Sequence, residues 1–78
     1  MLRLTEKRFF DFFSEAPETG MTYVVVTAVL KDGRKFEQVV VIGGLDVAMV
    51  RGYAQVPFTE SEIDHSIVTH EKWDWSYT

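Results

Sequence analysis

The segment Lys31-Asp32-Gly33-Arg34 constrains this chain more than any other feature. It separates Tyr23–Leu30 from Lys35–Ile42, two runs rich in β-branched side chains. Such residues favour extended backbone, and Asp-Gly between two of these runs is a strong hairpin signal. The sequence therefore predicts a β-hairpin over about 22–42.

Segregation of apolar side chains selects the hairpin register. A two-residue type I′ turn pairs Leu30 with Lys35 and Ala28 with Glu37, and both faces come out mixed. A type I turn with Gly33 left-handed, as a G1 bulge, pairs Ala28 with Phe36, Val26 with Gln38 and Val24 with Val40. One face then carries Val24, Val26, Ala28, Leu30, Phe36, Val40 and Ile42, with only Gln38 intruding. The other carries Thr27, Lys35 and Glu37 toward the turn, and Tyr23, Val25, Val39 and Val41 away from it. The bulged register is the better one. It implies a tip that projects into solvent and a base buried on both sides, with an aromatic helix covering the second face.

That helix is predicted over about 5–15. Thr5 is placed to cap it, Glu6 sets a negative charge at its positive end, and Leu4 and Phe9 have hydrophobic-staple spacing. Ala16-Pro17 ends it, because proline disfavours helical backbone in the residue before it. Phe9, Phe12 and Phe13 share a face, with Leu2 a turn or two back. Phe10 lies off that face. It is either an aromatic packed at the core's edge, the commoner fate of such a residue, or one left open to a partner.

Beyond the hairpin, Gly43-Gly44 breaks the second strand, and a third strand is expected over about 47–56, with Gly52 marking a bulge or bend. Thr59 and Glu62 have the spacing of a capping box, and Phe58 and Ile63 that of the staple around it. A helical turn over about 59–64 follows, then a last strand at about 66–70, where Ile67-Val68-Thr69 is β-branched. Residues 71–78 form an acidic, aromatic tail. The fold class is α+β: an N-terminal helix packed on a small antiparallel sheet, or an SH3-like, partly open barrel of three to five strands. The likeness to SH3-like barrels is architectural and carries no function.

Size makes the core important. The chain has 78 residues, enough for one domain, and a domain that small buries only roughly 60–65% of the surface its unfolded form exposes. It has no cysteine, which removes disulfides, thiolate metal sites and cysteine catalysis. Stability has to come from apolar burial, for which 46% hydrophobic residues suffice, or from self-association. Residues 1–58 are neutral overall. The net charge of −4 comes from 59–78, where Glu60, Glu62, Asp64, Glu71 and Asp74 face only Lys72. No signal peptide is visible and no apolar run is long enough to span a bilayer, so a cytoplasmic protein without membrane contact is expected.

Motifs that could carry chemistry are weak. Val39–Ala48 superficially suggests a dinucleotide loop, but Leu45 stands where the central glycine must admit a pyrophosphate. His65 and His70 are spaced five apart, which puts them on opposite faces of a strand and out of line on a helix, so a shared metal is not expected. Ser61 and His65 are four apart, yet serine in a first helical turn is commonplace and a third, orienting group is missing. No catalytic residue, cofactor or metal site is assigned. Lys31, Arg34 and Lys35 cluster at the hairpin tip, with Arg51 as a further cation, and could contact nucleic acid. Overall acidity makes that the alternative reading. If the tail is extended, Trp73, Trp75 and Tyr77 share one face. Tryptophan and tyrosine are typical interface anchors. The sequence thus points to a non-enzymatic interaction or accessory protein, meeting a protein partner or a second copy of itself through Phe10, Trp73, Trp75 and Tyr77.

Overall fold

A computed structural model describes residues 1–16, 23–43 and 45–69. The elements in chain order are β1 (Leu2–Arg3), α1 (Lys7–Glu15), β2 (Tyr23–Leu30), β3 (Lys35–Ile42), β4 (Asp46–Val50), a 3-10 turn (Glu60–Glu62) and β5 (Ile63–Val68). All strand pairs are antiparallel, in the order β1-β4-β3-β2-β5, and the sheet curls into a half-barrel against which α1 packs. The fold is α+β. Among the described residues no helix is long and apolar enough to cross a membrane.

The hairpin turn has the expected form. Gly33 is left-handed at φ 93°, its N–H donates to the Leu30 carbonyl at 3.0 Å, and the Leu30 N–H donates to the Arg34 carbonyl at 2.8 Å. Ala28 pairs with Phe36. Two residues further along β2 the expected register fails, because Val26 pairs with Val39 and Val24 with Val41. One residue is inserted on β3 opposite Thr27, and Gln38 takes a left-handed φ of 56° to accommodate it. A regular strand would have driven the Gln38 amide into the core. The bulge turns Val39 and Val41 into the core instead.

The same device recurs twice. Ala48 is extra on β4, so Val47 and Val50 both reach the core. Asp64 is extra on β5, so Ile63 faces the core opposite Leu30 while Ser66 lies across from Ala28. Each bulge replaces the two-residue alternation with a step of three: Phe36 to Val39, Val47 to Val50, Ile63 to Ser66. Bulges bend and twist the strand that carries them, and three of them, on β3, β4 and β5, contribute to the sheet's curl.

The main core joins Leu4, Phe9 and Phe13 with the inward residues of all the longer strands and with Phe58. The face that α1 covers therefore holds Val24, Val26, Val39 and Val41; of the face expected beneath the helix, Val39 and Val41 lie there, whereas Tyr23 and Val25 do not. Each buried phenylalanine of α1 contributes about 1.5–3 kcal/mol through burial. Phe12 packs edge-on against Phe13 with centroids 4.9 Å apart. The helix ends as expected: Ala16 has ψ 135°, and its N–H still reaches the Phe12 carbonyl at 3.1 Å. The base of the hairpin is buried on both sides, since Val25 and Val40 form a second cluster on the opposite face with Tyr23, Ile42 and Met49.

Three boundaries differ from expectation. β4 spans Asp46–Val50 and not 47–56, because Gly52 (φ 86°) turns the chain and leaves a single bridge between Val50 and Tyr53. β5 starts at Ile63, directly after the capped turn, where 66–70 was expected. Pairing with β2 holds Ile63 to His65 extended and outweighs any tendency of the turn to continue. β1 was not anticipated: Leu2 and Arg3 pair with Val47 and Asp46.

Candidate functional site

The side of α1 that faces away from the core carries Lys7, Phe10, Asp11 and Ser14. Lys7 and Asp11 form an i,i+4 ion pair at 2.7 Å, and the Ser14 hydroxyl donates to the Asp11 carbonyl at 3.0 Å. Amid these polar groups Phe10 is 59% exposed. The edge-packed reading of Phe10 is thereby corrected. At a helical spacing of one residue from Phe9 it is rotated about 100° off the buried face, and the core is already filled there by Phe9 and Phe13. Phe10 borders an open groove of about 470 Å³ between the start of α1 and the β1–β4 edge, lined also by Arg3, Leu4, Thr5, Glu6, Lys7 and Leu45. The Leu4 N–H donates to the Leu45 carbonyl at 2.7 Å, and Arg3 pairs with Asp46 at 2.8 Å beside it.

The other aromatic candidates, Trp73, Trp75 and Tyr77, lie outside the described residues, as does His70. Of the exposed apolar side chains elsewhere, Tyr53 (52% exposed) rests edge-on against Phe36 with centroids 5.5 Å apart, and Ile67 stands out from β5. Neither is marked by the sequence pattern. Tyr53 follows a turn glycine in a stretch that reads as strand, and Ile67 is exposed because the Asp64 bulge shifts the alternation of β5.

Lys31, Arg34 and Lys35 are brought together at the hairpin tip and are exposed. The tip does not project freely into solvent, because the 3-10 turn docks on it: the Lys31 N–H donates to the Glu62 carbonyl at 2.9 Å. Arg34 spans two carboxylates, Asp32 at 2.7 Å and Glu62 at 3.3 Å. Asp32 also accepts the Arg34 backbone N–H at 3.0 Å, and that bond, with help from the guanidinium, holds its carboxyl below the usual aspartate range. Glu62 accepts the Thr59 N–H at 2.9 Å and the Thr59 hydroxyl at 3.1 Å, the reach expected of a capping box. These bonds, above all the backbone one, set its carboxyl below the ordinary glutamate value. Arg51 sits elsewhere, its N–H donating to the Gln38 carbonyl at the β3 bulge.

Of the residues weighed for catalysis or metal binding, His65 and Ser61 are among the described ones. His65 Nδ1 lies 2.6 Å from Asp64 Oδ2, and the Ser61 hydroxyl is 3.3 Å from that of Thr59. Among the described residues no group of three or more histidine, aspartate or glutamate side chains is placed to hold a metal ion.

The acidic residues of the 3-10 turn serve the fold. The Glu60 carboxylate accepts the N–H groups of Thr5 and Glu6 and the Thr5 hydroxyl, and so caps α1 from across the molecule. Thr5 was expected as the cap, but the N-cap position falls on Glu6, whose side chain makes no cap bond, and the Thr5 hydroxyl donates to Glu60 instead. Arg8 completes the junction by donating to the carbonyls of Ile63 at 2.7 Å and Asp64 at 2.8 Å. Its guanidinium also lies 4.2 Å from the centre of the Phe9 ring.

Compared with protein-family models, with curated proteins and with solved structures, the chain has no significant match.

Proposed function

We propose that this chain is a non-enzymatic interaction or accessory protein that engages a protein partner through Phe10. The observation that supports this reading is the exposure of that ring on an otherwise polar helix face, beside an open groove whose lining includes Leu45. A phenylalanine left in water forgoes burial worth about 1.5–3 kcal/mol, and a partner that seats an apolar side chain against it recovers part of that. The alternative, nucleic-acid contact through Lys31, Arg34, Lys35 and Arg51, has less to support it, because Arg34 is already bridged to Asp32 and Glu62.

The test compares the wild-type chain with Phe10→Asp as bait for affinity capture in extracts of the native host. Phe10 is outside the core, so the variant is expected to melt within about 0.5 kcal/mol of wild type, as surface substitutions usually do. Loss of a captured protein by the folded variant, followed by direct binding of that protein to wild type alone, is the expected result. Identical captured sets would overturn the assignment.

A further inference from the structure

Val25 and Val40 sit side by side on the face of the sheet opposite α1, and each is 0% exposed. Their companions Tyr23, Ile42 and Met49 are only partly buried, so this face is not sealed by its own neighbours. Side chains stand roughly perpendicular to a sheet, and two valines in its middle lose all contact with water only under an apolar cover. The helix does not provide it, since Phe9 and Phe13 are committed to the other face.

The course of the chain points to a source. Beyond β5, the Thr69 N–H approaches the Val25 carbonyl at 3.5 Å, which brings the chain to the edge of this cluster. Nine residues follow, 70–78. Extended, they reach about 30 Å, whereas crossing from β2 to β4 requires only about 10 Å. They also carry suitable side chains: Trp73, Trp75 and Tyr77 alternate with Lys72, Asp74 and Ser76, an apolar side backed by a polar one. The segment before β2, residues 17–22, offers only Met21 and Pro17 as comparable apolar material.

We propose that the outer face of β2, β3 and β4 is the docking surface for the chain's own C-terminal segment, whose tryptophans cover Val25 and Val40. This is independent of the role of Phe10, and it removes Trp73 and Trp75 from the surface offered to partners.

Trp73 and Trp75 are the chain's only tryptophans, so intrinsic fluorescence reads the segment directly. The full-length protein is expected to emit to the blue of its urea-denatured form and to resist acrylamide quenching, at every protein concentration. Ile42→Lys and Met49→Glu place a charge at the border of the surface without touching the main core. Either is expected to move emission and quenching toward the denatured values while far-UV circular dichroism is retained. Wild-type emission equal to that of the denatured chain would overturn the proposal. So would a blue shift present only at high concentration, which would assign the cover to a second copy, or a blue shift unchanged in both folded variants. If one variant fails to fold, the other, elsewhere on the border of the surface, still reads whether the tryptophans lie there.

Discussion

Glu60 and Thr5 meet across the open side of the half-barrel: one carboxylate accepts both the backbone N–H of Thr5 at 2.6 Å and its hydroxyl at 2.8 Å. The Glu6 N–H adds a third bond at 2.8 Å. Partial burial pushes the Glu60 carboxyl up, but these bonds and the neighbouring Arg8 charge outweigh it and hold the group below its ordinary value of 4.5. A carboxyl whose pKa is lowered by folding adds stability that is full above its unfolded value and is lost as pH falls through the folded one. Glu60→Gln should therefore cost about 1 kcal/mol at neutral pH, the usual cost of a lost cap, and the gap to wild type should narrow below pH 4.5. Urea melts at pH 7 and pH 3 measure it. A gap of the same size at both would show that the charge on Glu60 is not what matters.

Arg8 fixes the other half of this junction. Its planar fork reaches two carbonyls that end the capped turn and begin β5, a geometry a point-charge ammonium does not match. Arg8→Lys is expected to lose about 1 kcal/mol and to speed amide hydrogen exchange across Ile63–His65, with little change in β3 and β4. Uniformly faster exchange throughout the sheet would instead mean that Arg8 supports the whole fold.

The parts of this structure that could be read in the sequence are those set by neighbours in the chain. Asp32-Gly33, Ala16-Pro17 and Thr59-Glu62 specify turn, stop and cap through backbone preferences of a few adjacent residues. Phe9 and Phe13 were legible as a buried face for the same reason. The register beyond Thr27 was not, because period-two counting from the turn has no means of registering an inserted residue. Gln38 alone carried the signal: it was the one polar side chain on an otherwise apolar face. Glu60 counted in the sequence only as one of the acidic residues of 59–78, since its partners Thr5 and Glu6 lie at the far end of the chain. At the candidate site, Phe10 could be placed off the core face but not assigned an exposure, which depends on how completely Phe9 and Phe13 fill the space beneath α1.

Gly33 should resist replacement. At φ 93° a β-carbon meets no other atom within 4 Å, so the penalty for alanine comes from the backbone alone. Gly33→Ala is expected to destabilise by about 1 kcal/mol. Gly33→Asn should cost less, since asparagine tolerates left-handed backbone. Denaturant melts of the two variants give the comparison, and equal losses would point to a contact and not to φ.

Gln38 allows a sharper test of how the sheet is built. Its left-handed φ of 56° is what lets Phe36 and Val39 both face the core, so the residue must tolerate that backbone. Valine would be the natural choice at this position if β3 were a regular strand with residue 38 in the core. In the bulged strand it is among the worst, because a β-branched side chain clashes in the left-handed region. Gln38→Val is therefore expected to destabilise by about 1–2 kcal/mol, and Gln38→Asn to be far milder. Should Gln38→Val prove more stable than wild type, with Val26 and Val39 no longer paired by cross-strand nuclear Overhauser contacts, the bulge would be dispensable. The strand would then have slipped to the regular pairing of Val26 with residue 38.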